Sequence, residues 1–117
     1  MSVTIYHNPQ CGTSRTVLAA LQEGGHEPKV VEYLKAGWTE AQLKDLFGKM
    51  GVTPRQMLRT KGALAEELGL TAPGASDAAI LEAMVANPVL VERPIVVTDK
   101  GVWLARPASR LDEILAA

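Results

Sequence analysis

The sequence predicts an α/β fold in which an opening βαβ unit and a closing ββα unit share one mixed sheet, with a block of helices inserted between them. Three observations carry this expectation. Short runs rich in Val, Ile, Tyr and Trp recur at residues 3–6, 29–33, 95–98 and 102–105, the composition of strands. A helical apolar period separates the first two runs, and helix-start signatures crowd into residues 39–87.

Residues 3–6 read as a strand, and residues 12–23 as a helix whose Val17, Leu18 and Leu21 fall at helical spacing before Gly24-Gly25 ends it. Residues 29–33 form the second strand, making a right-handed βαβ unit. Its first loop lies at a strand's carboxyl end, where α/β sheets commonly bind ligands. In the middle, Thr39-Glu40-Ala41-Gln42 and Thr53-Pro54-Arg55-Gln56 both fit capping boxes, the second with proline at the first helical position. A third helix is expected over 63–68. A fourth follows Ser76-Asp77, carries Ile80, Leu81 and Met84, and closes at Asn87-Pro88. Residues 95–98 and 102–105 pair as a hairpin about Asp99-Lys100-Gly101, and Ser109 caps a last helix containing Leu111, Ile114 and Leu115. The order βαβ, helices, ββα is that of a thioredoxin-like sheet: one domain over 1–117, with residues 39–87 as a helical insertion.

Of the 117 residues, 47% are hydrophobic and 21% charged, with a formal net charge of −1. That balance fits a soluble globular chain and provides no overall basic field to draw it to nucleic acid or an acidic membrane. No apolar run approaches the roughly 20 residues of a membrane-spanning helix. A single cysteine excludes an internal disulfide, and the strand-like opening does not resemble a signal sequence. The expectation is an untargeted protein of the reducing cytoplasm.

That cysteine, Cys11, sits in Tyr6-His7-Asn8-Pro9-Gln10-Cys11-Gly12-Thr13-Ser14-Arg15, at the start of the first helix. Free N–H groups and the helix dipole favour an anion there, and a thiolate is the reactive form of cysteine. His7 and Arg15 are near enough in sequence to add positive charge, and the Thr13 and Ser14 hydroxyls could donate to sulfur or to a bound oxyanion. A buried apolar cysteine is the commoner case in general. Here, however, the residue lies between polar turn residues instead of within an apolar run. Cys11-Gly12-Thr13-Ser14 is a one-thiol version of the Cys-x-x-Cys redox motif, so any exchange must be completed by another thiol, with glutathione or a glutaredoxin the obvious donors in the cytoplasm. A phosphatase loop of the form Cys-x5-Arg is excluded because its arginine position is occupied by Val17.

Arg93 precedes one hairpin strand and Arg106 follows the other, each with a proline after it. Pairing about the turn sets them opposite each other to within one residue. Like charges across a sheet repel, so an anion between them accounts for the arrangement better than stability does. Arginine's planar, permanently charged fork suits tetrahedral oxyanions. Pro94 is a candidate for a cis bond by analogy with the fold. Arg59, expected to end the helix from Pro54, is a third candidate for the anion site.

Taken together, these residues resemble the glutaredoxin-linked arsenate reductase family, thioredoxin-fold enzymes of bacterial arsenic resistance. The likeness includes the His7-to-Arg15 loop, Met57-Leu58-Arg59, the run from Glu92-Arg93-Pro94 to Thr98, and Leu104-Ala105-Arg106-Pro107. It implies Cys11 as nucleophile, His7 tuning it, Ser14 and Arg15 as supporting neighbours, and Arg59, Arg93 and Arg106 as the triad that binds arsenate. Glutathione and glutaredoxin would be the reductants. No metal or bound organic cofactor is implied, and neither nucleic acid nor membrane is a partner. The expected state is a monomer. Two other readings share the fold: a glutathione-dependent thiol oxidoreductase whose arginines hold glutathione carboxylates, and a regulator resembling the Spx proteins that bind RNA polymerase. Spx proteins generally carry the second cysteine that Ser14 replaces here.

Overall fold

Alternating and β-branched residues at the start and end of the chain meet in one four-stranded sheet, in the order Lys29–Glu32, Thr4–His7, Ile95–Thr98 and Gly101–Leu104. The computed structural model describes residues 2–117. Strand β1 (Thr4–His7) leads into helix α1 (Gly12–Glu23), with the bounds the sequence predicts, and then into β2 (Lys29–Glu32), which runs parallel to β1. Tyr33, expected to close that strand, instead opens the short helix α2 (Tyr33–Ala36) and is buried. Strands β3 (Ile95–Thr98) and β4 (Gly101–Leu104) form an antiparallel hairpin, β3 also pairing antiparallel with β1. The last helix, α6 (Leu111–Ala116), follows a 3-10 turn at Ala108–Arg110.

The chain packs as two compact units, one formed by residues up to Ala36 together with Arg93–Ala117, the other by Gly37–Glu92. The first unit holds the sheet. Ile5 and Val96 are register partners on it. Val17 and Leu21 from α1, with Leu111 and Ile114 from α6, bury against the same cluster. Apolar spacing of four residues in α1 thus becomes a stripe that covers the sheet.

The second unit is helical. Helix α3 (Glu40–Met50) starts with a complete capping box: the Thr39 hydroxyl accepts from the Gln42 N–H at 3.1 Å and the Gln42 side-chain Oε1 accepts from the Thr39 N–H at 3.4 Å. Helix α4 (Leu64–Glu67) is a single turn, and α5 (Asp77–Ala86) begins where the Ser76 hydroxyl accepts from the Ala79 N–H. The expected helix at Pro54 is not one. The Thr53 box does form, with Gln56 and Thr53 bonding reciprocally, but the chain makes only the 3-10 turn Arg55–Met57. Leu58 is already extended and bridges Val91 in antiparallel fashion, so pairing with a distant segment captures the backbone before a second helical turn can add to the first. Arg59 consequently lies beyond a turn, not in the last turn of a helix. Ser109 likewise does not cap α6. It sits within the 3-10 turn, and the residue before α6, Arg110, already has helical dihedrals.

Among the described residues, no helix is long and apolar enough to cross a membrane. Leu21 is fully buried in the sheet cluster. Leu21→Ala is expected to lower unfolding stability by about 2–5 kcal/mol, read as a lower urea midpoint with an unchanged slope.

Candidate active site

Cys11 occupies the N-cap of α1 with extended dihedrals (φ −97°, ψ 121°) and is 9% exposed. The loop before it is drawn tight by Asn8, whose carbonyl accepts from the Cys11 N–H at 3.0 Å and whose side-chain Oδ1 accepts from the Gln10 N–H at 2.9 Å. Asn-Pro sequences favour such turns because the short amide mimics a backbone carbonyl. Asn8 is itself buried. Its role went unassigned in the sequence, although the Asn8-Pro9 turn signal marks it. Arg15 braces the same loop from outside, donating from Nη1 to the Pro9 carbonyl at 3.0 Å.

The hairpin supplies the cations. In the ladder between β3 and β4, paired residue numbers sum to a constant, as in Ile95 with Leu104 and Thr98 with Gly101. The Ala105 N–H continues the ladder by donating to the Pro94 carbonyl at 3.0 Å. Arg93 and Arg106 are the next opposed pair in that register. The Arg106 Nη1 lies 3.7 Å from the Cys11 Sγ and 3.4 Å from the Arg93 carbonyl oxygen. Arg93 is buried and directs its guanidinium at the same sulfur. Both Arg-Pro bonds, Arg93-Pro94 and Arg106-Pro107, are cis; the first was a candidate from the sequence, the second was not.

Burial pushes the Cys11 thiol up, but the Ser14 backbone N–H and the Arg93 and Arg106 side chains together outweigh it, so the thiol lies below its ordinary pKa. The Cys11 side chain makes no cap hydrogen bond to the helix, yet the N–H groups at the helix start favour its anion. The Ser14 hydroxyl has other partners. It accepts from the Asn8 N–H at 3.1 Å and lies 2.6 Å from the His7 Nδ1. Ser14 therefore serves sulfur through its backbone, while its fully buried side chain ties the strand end to the helix.

His7 departs from the sequence expectation in one respect. It was expected to add positive charge. Burial, aided by Arg15 and opposed by Glu32 beside it in the sheet, lowers its pKa from the ordinary value of about 6.5. The imidazole is thus neutral near pH 7, and it reaches the cysteine loop as a hydrogen-bond partner of Ser14. Of the remaining site residues, Arg59 belongs to the second unit. There its N–H donates to the Leu90 carbonyl at 2.7 Å and its Nη1 meets the Glu92 Oε1 at 3.4 Å. Among the described residues, no group of three His, Cys, Asp or Glu side chains is placed to hold a metal ion.

Chemically, the first unit presents a free thiol, acidified at a helix start beneath two guanidinium groups. Such a sulfur can attack an electrophilic centre whose negatively charged oxygens the arginines hold. Iodoacetamide alkylation of Cys11 is expected to titrate below the ordinary thiol value of about 8.5. Arg106→Ala should shift that profile to higher pH and slow alkylation at pH 7; an unchanged profile would show that this guanidinium does not act on sulfur.

The ArsC family model matches residues 6–114. The chain is 50% identical over 113 residues to an arsenate reductase of Synechocystis sp., covering 97% of this chain and 81% of the relative. To an arsenate reductase of Rhizobium meliloti it is 48% identical over 115 residues, covering 98% and 82% respectively. Its fold is similar to the solved structure of an arsenate reductase from Vibrio cholerae, with TM-score 0.91 and 42% identity over 97% of this chain and 98% of that one.

Proposed function

Because this chain belongs to the ArsC family, we propose that it reduces arsenate to arsenite, with Cys11 as the nucleophile. The observation that carries this reading is the acidified sulfur under the opposed Arg93 and Arg106. That these relatives are arsenate reductases supports arsenate as the oxyanion. Arg93, Arg106 and Arg59 bind its oxygens, and Ser14, Arg15 and Pro94 keep the thiol and the arginines in place. His7 assists through Ser14.

The Cys11 thiolate adds to arsenic, and an arsenate oxygen, once protonated, leaves as water. Glutathione joins the arsenic in the same manner. A glutaredoxin thiol then attacks the glutathione sulfur, forming one mixed disulfide. The two electrons released in that oxidation take As(V) to As(III), and hydrolysis of the remaining arsenic–sulfur bond frees arsenite and returns Cys11 as a thiol. With one cysteine in the chain, no disulfide can form within it, so external thiols have to complete the reduction. This dependence on reduced thiols fits a protein of the cytoplasm.

Arsenite formation should require both glutathione and glutaredoxin and vanish in Cys11→Ser. Arg93→Ala is expected to raise the KM for arsenate by roughly ten- to a hundredfold, the loss of a charged hydrogen bond, with a smaller change in kcat. Turnover by Cys11→Ser would refute the nucleophile. A Cys11–glutathione adduct that forms readily while arsenate stays unreduced would instead identify a thiol oxidoreductase.

A further inference from the structure

The second unit holds a pairing that the sequence does not announce. Arg59 and Glu92 are 33 residues apart, yet the Arg59 Nη1 lies 3.4 Å from the Glu92 Oε1 with side-chain exposures of only 15% and 20%. The backbone fixes both ends. Leu58 and Val91 form an antiparallel bridge, flanked by Arg59 N–H to Leu90 carbonyl at 2.7 Å and Glu92 N–H to Met57 carbonyl at 2.9 Å. Ion pairs such as Lys44 with Glu40 and Lys49 with Asp45 are of another kind, one turn apart on a helix and at least 60% exposed.

A carboxylate next to an arginine that receives an anion offsets part of the charge the anion needs. A partly buried ion pair gives little net stability in return, because the cost of taking both charges out of water offsets their attraction. Orientation is what such a contact contributes. Arginine has five N–H donors in a rigid plane, and a carboxylate engaging one Nη1 fixes the direction of the plane while the other donors stay available.

We propose that Glu92 is a positioning residue for oxyanion binding, holding the Arg59 guanidinium in the orientation in which its other N–H groups meet arsenate. This rests on the reading of Arg59 as a substrate-binding residue. Glu92 also directly precedes Arg93 in the chain, so the residue that orients one arginine is covalently joined to another.

The test is a double-mutant cycle in the glutathione- and glutaredoxin-coupled arsenate assay, with Glu92→Ala, Arg59→Ala and the pair. Glu92→Ala should raise the KM for arsenate about two- to fivefold, leave kcat within about twofold, and add nothing further in the Arg59→Ala background. Glu92→Gln keeps the volume and should raise KM in the same direction, which guards against a variant that fails to fold. A KM unchanged in Glu92→Gln, or a Glu92→Ala effect that persists in full without Arg59, would overturn the proposal. If Arg59→Ala itself leaves KM unaltered, the substrate-binding reading of Arg59 falls, and with it the role given to Glu92. A contribution confined to stability would lower the melting temperature of Glu92→Ala with no coupling in KM, and would likewise count against it.

Discussion

Two guanidinium groups on facing ends of a hairpin repel each other unless negative charge lies between them, and here the group they share is the Cys11 sulfur. The rest of the first unit can be understood from that requirement. Sulfur is nearly buried, and burial alone would keep it protonated. The cations and the Ser14 N–H reverse the balance, so thiol and arginines each relieve the other's cost. An incoming oxyanion would meet the same guanidinium groups. Nucleophile and substrate site are therefore one electrostatic arrangement.

The loop geometry follows from small residues with local hydrogen bonds. Asn8 uses its N–H, its carbonyl and its side chain within the segment it begins, which lets Cys11 cap α1 in an extended conformation. His7 and Ser14, seven residues apart, join strand end to helix start through buried polar atoms. Such a network is worth most when every member is satisfied. A neutral His7 suits it, since a buried imidazolium would add to the positive charge already gathered by the arginines.

Much of this was legible in the sequence because it depends on local chemistry or on counting. The bounds of α1, the Thr39 capping box and the facing of Arg93 and Arg106 all follow from spacing, the last because hairpin register is fixed by its turn. What escaped involves burial and partners that spacing does not reveal. The Thr53 box signals a helix as clearly as the Thr39 box does, but the Leu58–Val91 bridge ends it after one turn. The Ser14 hydroxyl looked available to sulfur until the Asn8 N–H and the His7 ring occupied it. His7 looked cationic because desolvation leaves no mark in a sequence. The Arg59–Glu92 contact spans 33 residues, beyond the reach of periodicity.

The Asp99-Lys100 turn joins β3 to β4 far from the chemistry, about five residues or some 17 Å along each strand from the arginines. Exposed tips of this kind ordinarily absorb insertions freely. Here an added residue that slipped the ladder by one would turn the side chains of one strand to the opposite face and part Arg93 from Arg106. The loop acts as a spacer gauge for a reaction it never touches, and its length is held by the reactivity of a sulfur at the other end of the hairpin.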